Sequence, residues 1–248
     1  MRVDVAFTPA GIPQGELAGR SVVVVDVLRA TTTICAALHH GARAVIPATD
    51  RADAARLAQA LDRRDVLLAG EREALRIEGF DLGNSPREMT PEVVTGKTVV
   101  MTTTNGTRAL LGTAGAREVI VGAGVNLGAA SAWAADALAA HGDLLVLCAG
   151  REHGFGLDDA YVAGRLVLAA MGARRTRKGL NDGAIAAVDL VRRYGDRLDR
   201  VLALSAAGRH LAAIGYRDDV LAAGQVDAHP VLPLYRERRV TLVHGGRA

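Results

Sequence analysis

Residues 21–41 read SVVVVDVLRATTTICAALHHG. Four valines in a row, with no polar residue alternating between them, suit a strand covered on both faces, as in parallel sheets. The second part is Ala/Leu-rich with helical period and stops at Gly41, after His39 and His40, whose charge suits a helix C-terminus. Strand, polar loop and helix follow one another within 21 residues. The same alternation recurs along the chain. Further buried strands are expected at AVIPA (44–48), DVLLAG (65–70), TVVMTT (98–103), EVIVGA (118–123), DLLVLCAG (143–150) and RVLALS (200–205). Helices are expected between them at 51–61, 106–115, 126–142, 158–172 and 183–195. This pattern predicts an α/β fold of three layers, α/β/α, around a buried and mostly parallel sheet.

Laid over itself, the chain is self-similar. VVVVDVLRATTTICAALHHGARAVIPATDRADAARLAQAL runs into LLAGERE, and TVVMTTTNGTRALLGTAGAREVIVGAGVNLGAASAWAADAL runs into LVLCAGRE. The alignment pairs Thr31–Thr33 with the loop Thr102–Thr107, and Glu71 with the region of Glu152. Common α/β grammar in two Ala-rich segments is the competing explanation. The corresponding division is into related halves at 1–96 and 97–248, packed around a shared site; one continuous domain is the alternative.

The chain has 248 residues, half of them apolar, enough for an ordinary core. Its formal net charge is only +3 and aromatic residues make up 3%, so it lacks the stacking platforms of a nucleic-acid binder. The basic run ARRTRK (173–178) reads as a solvated loop. Cys35 and Cys148 lack C-x-x-C spacing, and MRVDVAF carries Arg2 and Asp4 where a signal peptide needs an apolar core. We therefore expect a cytoplasmic protein with no nucleic-acid or membrane partner, since no apolar run approaches membrane-spanning length. A homo-oligomer is left open.

In open α/β sheets, ligands bind where strands end and helices begin. Two Thr-rich loops stand there: Thr31, Thr32 and Thr33 after the valine run, and Thr103, Thr104, Asn105, Gly106 and Thr107 in TTTNGT (102–107). Free N–H groups at a helix start, with hydroxyl and amide donors beside them, suit an anion, and Gly106 permits close approach. Helix capping is the plainer role for such residues. Arg29 adds a bidentate phosphate clamp, or else a surface ion pair. Acids sit at strand ends and a helix start: Asp26 after the valines, Glu71 after DVLLAG, and Asp158 and Asp159 after CAGREHGFG. Hard oxygen ligands beside phosphate loops describe a Mg²⁺ site. The expected partner is a small anionic phosphorylated substrate. The histidines do not organise into a site, and His153 alone stands in a loop near the acids. Zinc-protease, Walker A and nucleophile-elbow patterns are absent.

Taken together, DVLRATTTI (26–34), GERE (70–73), GFDLGNSP (79–86), TTTNGT, CAGREHGFGLDDAYVAG (148–164) and SAAGRHLAAIGYRDD (205–219) resemble the magnesium-dependent 2-phosphosulfolactate phosphatases. The last of these segments looks like the family's final helix. The resemblance implies hydrolysis of a phosphate monoester on a three-carbon acid that also bears a sulfonate. It gives Asn84 and Ser85 a role as donors to a carboxylate or sulfonate, where a turn before Pro86 is the plainer reading. It also implies Asp26, Arg29 and Asp159 as catalytic and Asp26, Glu71, Asp158 and Asp159 as metal ligands. Asp158 stands where the family has Glu, one methylene longer. DVLRAT resembles the D-x-D-x-T nucleophile loop of aspartyl-phosphate phosphatases with Leu28 in place of the second Asp. In-line attack by a magnesium-activated water is the preferred route, with a phospho-Asp26 intermediate as the other. A phosphatase for another phosphorylated hydroxy acid and a non-catalytic binder of small anions are the competing readings.

Overall fold

The computed structural model describes residues 1–12, 15–151, 154–173 and 176–243. Glu152 and His153, on which two of the expectations above rest, and Arg174 and Arg175 of the basic run lie outside the described residues.

Ten strands among the described residues form one sheet: β1 (Arg2–Ala6), β2 (Ser21–Val25), β3 (Ala44–Pro47), β4 (Val66–Arg72), β5 (Leu75–Arg76), β6 (Thr98–Thr102), β7 (Glu118–Gly122), β8 (Asp143–Cys148), β9 (Pro233–Arg236) and β10 (Arg239–Leu242). Ten α-helices cover it: α1 (Ala30–His39), α2 (Arg51–Gln59), α3 (Pro91–Val94), α4 (Gly106–Leu111), α5 (Leu127–His141), α6 (Leu157–Met171), α7 (Asp182–Tyr194), α8 (Leu198–Leu204), α9 (Ala206–Ala213) and α10 (Arg217–Ala223). The strand order is β1-β8-β2-β7-β9-β10-β3-β6-β4-β5. One parallel set, β1-β8-β2-β7, and another, β3-β6-β4, are joined by the antiparallel β9–β10 hairpin.

The valine run shows why both faces are covered. Val23 and Val25 pack with Leu144 and Val146 among residues of α5, α6 and α7, including Leu138, Leu166 and Val188. Val22 and Val24 point the other way, among Ile34 and Leu38 of α1 and Leu110 of α4. With a side-chain period of two, an all-apolar strand needs a helical layer on each side, and the fold supplies both. No helix among the described residues is long and apolar enough to cross a membrane.

The self-similarity has a structural counterpart. β2-α1-β3-α2-β4 and β6-α4-β7-α5-β8 are the same βαβαβ unit, and each inserts its first strand into the other. β2 lies between β8 and β7, and β6 lies between β3 and β4. Each of the residue ranges 1–96 and 97–248 therefore contributes a strand that lies between two strands of the other.

Four features differ from expectation. RVLALS is helix α8: its buried residues, Leu198, Val201 and Leu202, fall at helical spacing, while Leu204 is exposed. β1 was hidden by its charges; Asp4 lies between buried Val3 and Val5 because Arg20 pairs with it at 2.9 Å and Arg2 at 2.6 Å. The β9–β10 hairpin turns through Glu237 and Arg238, both at positive φ. Asn-Gly or Asp-Gly normally marks such a turn in sequence, and neither is present. The expected final helix is two, α9 and α10, separated at Gly215, whose φ is 93°.

Candidate active site

The loops after β2, β4, β6 and β8 converge on a cleft of about 520 Å³, closed on one side by α9. What brings the β2 and β6 loops together is Gly106. A Cβ there would stand 2.5 Å from the Ala30 Cβ and 2.6 Å from Asp26 Oδ2, so only glycine lets the start of α4 rest against Asp26.

Each loop is pinned in a matching way. Thr31 Oγ1 accepts from the Asp26 N–H at 3.0 Å and donates to the Asp26 carbonyl at 2.7 Å. Thr107 Oγ1 does the same for Thr103, at 3.0 Å to each. One residue further on, a carboxylate clamps each loop. Asp159 accepts from Val27 N–H at 2.8 Å and from Gly150 N–H at 3.1 Å. Glu71 accepts from Thr104 N–H at 2.7 Å and Ala74 N–H at 2.8 Å. In the repeat, Asp159 is thus the counterpart of Glu71.

These bonds revise the two expected cradles. Thr31, Thr32 and Thr33 are buried, and their hydroxyls serve the carbonyls of Asp26, Val27 and Asn84, so they do not line the cleft. Thr107 is likewise internal, its N–H bonded to Thr103 Oγ1 at 3.0 Å. Thr103, Thr104 and Asn105 do line the cleft. Asn105 is the N-cap of α4 but makes no capping hydrogen bond with its side chain, so capping does not account for it.

Four carboxylates at the floor of the cleft, Asp26, Glu71, Asp158 and Asp159, are joined at its edge by exposed Glu73. The four at the floor are buried. Burial, with the charges of Asp158 and Glu71, pushes the Asp26 carboxyl up to about 7, against the Ala30 N–H that donates to Oδ1 at 3.1 Å. Burial raises Asp158 to about 6, although it accepts from the backbone N–H groups of Asp158 and Asp159 at the start of α6. Burial and the charges of Asp158 and Asp26 lift Asp159 well above the usual carboxylate range. Buried like charges of this kind call for a proton or a hard cation to neutralise them. An all-oxygen donor set fits Mg²⁺ rather than a softer metal.

Arg29 lines the cleft but is buried and already partnered. Its Nη1 pairs with Asp219 at 2.7 Å, both side chains being only 2% exposed. Its Nη2 donates to the Ala74 carbonyl at 2.5 Å, and its guanidinium lies 4.4 Å from the centre of the Tyr216 ring. Ser85 Oγ donates to the other Asp219 oxygen at 2.7 Å, so Ser85 is turned away from the cleft. Asn84 does line it, and its Oδ1 is buried with no hydrogen-bond partner.

Sequence reasoning missed the arginines of the rim, Arg72, Arg108 and Arg151, and His210 beside them. Arg108 follows TTTNGT directly and makes no ion pair among the described residues, so its position beside the motif was the available signal. Asp219, which holds Arg29 and Ser85 from α10, is 190 residues from Arg29 in sequence.

A cleft floored by buried carboxylates and rimmed by arginines, at the strand ends of an α/β sheet, suits a small anionic ligand. The comparisons agree in kind. The profile of the family described as 2-phosphosulpholactate phosphatase matches residues 6–238, and the chain belongs to that family. It is 40% identical to the probable 2-phosphosulfolactate phosphatase of Symbiobacterium thermophilum over 231 residues, 93% of this chain and 97% of the relative. The protein of the same name from Caldanaerobacter subterraneus subsp. tengcongensis is 38% identical over 218 residues, 88% of each chain. That of Thermotoga petrophila is 36% identical over 245 residues, 98% of this chain and 96% of the relative.

Proposed function

We propose that this chain is a Mg²⁺-dependent cytoplasmic phosphatase that hydrolyses 2-phosphosulfolactate to 3-sulfolactate and phosphate, in a route to a sulfonated cofactor such as coenzyme M. The observation that carries the reading is the pairing of four buried carboxylates with a rim of arginines in one cleft.

Asp26 and Asp158 would hold the cation, while Glu71 and Asp159, already accepting backbone N–H groups, keep one lone pair on each oxygen. Bound Mg²⁺ supplies charge neutralisation at the phosphoryl group and acidifies water. The chain's own groups do the positioning. Thr104, Asn105 and Arg108 offer donors to phosphoryl oxygens on the β6 side of the cleft, where negative charge grows as the ester bond breaks. Arg72 and Arg151 bring further positive charge to the rim. Arg29 acts as a positioning residue: held by Asp219 and the Ala74 carbonyl, it fixes the loop that carries Asp26. Asn84 lines the cleft, where its amide Nδ2 can donate to a carboxylate or sulfonate of the substrate.

Attack by water is the preferred route, because Asp26 Oδ2 is packed against Gly106, which crowds the approach of a phosphoryl group to that oxygen. The test is a phosphate-release screen over phosphorylated hydroxy acids with and without Mg²⁺, followed by the stereochemical course at phosphorus on a substrate made chiral there with oxygen isotopes. Direct water attack is one in-line displacement and inverts phosphorus; a phospho-Asp26 intermediate takes two and retains its configuration. Binding without phosphate release on any substrate would leave only an anion-binding protein.

A further inference from the structure

Away from the cleft, at the far end of α1, three histidines meet. His39 is the last residue of α1, His40 is its C-cap, and His229 comes from the segment between α10 and β9. Their ring centres lie 5.1, 4.8 and 5.2 Å apart in the three pairs. One ligand nitrogen from each ring falls within 4.8 Å of the other two, and this is the only such group of three His, Cys, Asp or Glu side chains among the described residues. The meeting of the three was not expected from sequence, because His229 is remote from the other two.

We infer that His39, His40 and His229 form a binding site for a transition-metal cation of the Zn²⁺ class, separate from the acidic cleft. Two details beyond proximity point to a ligand. His40 Nδ1 faces the Met89 carbonyl at 2.5 Å; a carbonyl only accepts, so Nδ1 carries the proton and Nε2 keeps its lone pair. A ring N–H held by a backbone carbonyl is the usual support of a metal-ligating histidine. His229 Nδ1 is buried and has no hydrogen-bond partner. Its backbone is fixed, with N–H donating to Val125 O at 2.8 Å. Burial and the neighbouring rings lower His229 to about 4, and burial followed by His40 lowers His39, so these two rings are neutral near pH 7.

The donor set selects the metal. Three imidazoles without a carboxylate suit Zn²⁺, Co²⁺ or Ni²⁺ and not Mg²⁺. Zn–N bonds of about 2.0–2.1 Å put tetrahedral ligand nitrogens about 3.3 Å apart, a closure that a turn of exposed His39 can supply. The helix C-terminus adds favourable negative charge. A cation here ties α1 to the segment leading into the β9–β10 hairpin that joins the two parallel strand sets.

The test uses the full chain without a histidine tag, freed of metal and then saturated with Mg²⁺ to occupy the acidic cleft. Zn²⁺ is titrated by calorimetry and Co²⁺ by its visible d–d absorption. The expected result is one equivalent bound at micromolar or lower Kd, weakened on the order of a hundredfold in H39A and in H229A but not in H141A. His39 is exposed, so H39A decides the matter even if H229A fails to fold. Absence of Zn²⁺ binding in the wild type, or affinity unchanged in H39A, overturns the inference.

Discussion

Asp26→Asn should stabilise the metal-free protein while abolishing its turnover. In the fold, burial and the charges of Asp158 and Glu71 raise the Asp26 carboxyl from 3.8 to about 7. Keeping it ionised above pH 7 therefore costs about 4 kcal/mol relative to the unfolded chain, at about 1.36 kcal/mol per pH unit. The sign follows from the raised value. Below pH ~4 the group is protonated in both states and nothing is lost; stability then falls as pH rises to about 7, and the full deficit persists above it. Asparagine can still accept from Ala30 but brings an amide NH₂ that needs a partner, so the net gain should be about 2 kcal/mol, or roughly 4–8 °C in Tm at pH 8. Urea and thermal unfolding in chelator at pH 4 and pH 8 measure this directly. With Mg²⁺ added, the order should reverse, because only the wild type gains from binding the ion. A variant less stable than wild type at pH 8 in chelator, or one that turns over normally at saturating Mg²⁺, would refute the reasoning.

Asn105→Ala should reduce kcat/KM roughly tenfold or more with little change in Tm, because the side chain makes no cap bond; early melting with activity intact would point to a structural role. Arg108→Ala should raise KM about tenfold with stability within about 0.5 kcal/mol, since the exposed side chain has no ion pair among the described residues. Asp219→Asn removes the charge partner of buried Arg29 and should cost about 3–5 kcal/mol in urea unfolding. An unchanged midpoint would mean that the pair does not hold the loop.

Much of the fold was readable because buried parallel strands and amphipathic helices carry strong periodic signals. Six of the seven expected strands are strands, and the self-similar segments became two interlocked units. What escaped was long-range. Nothing local shows that Glu237 and Arg238 form a tight turn, or that the resulting hairpin lies between β7 and β3. At the site, the acids and TTTNGT were found because such residues are out of place at the end of an apolar strand. Their division of labour was not. Whether a threonine faces a ligand or pins its own loop depends on a turn of one side chain, and Thr31 and Thr107 turn inward. The buried ion pair of Arg29 escaped because its partner, Asp219, arrives from the far end of the chain.

The most direct test is the ratio of kcat/KM for 2-phosphosulfolactate to that for 2-phospholactate at saturating Mg²⁺, repeated after chelation. The sulfonate, the third anionic group and the one 2-phospholactate lacks, should find partners among Asn84, Arg72 and Arg108, and donors left without it should cost roughly 3 kcal/mol. The account predicts a preference of about a hundredfold for the sulfonated substrate and loss of both activities in chelator; equal values for the two substrates, or turnover that persists without metal, would contradict it.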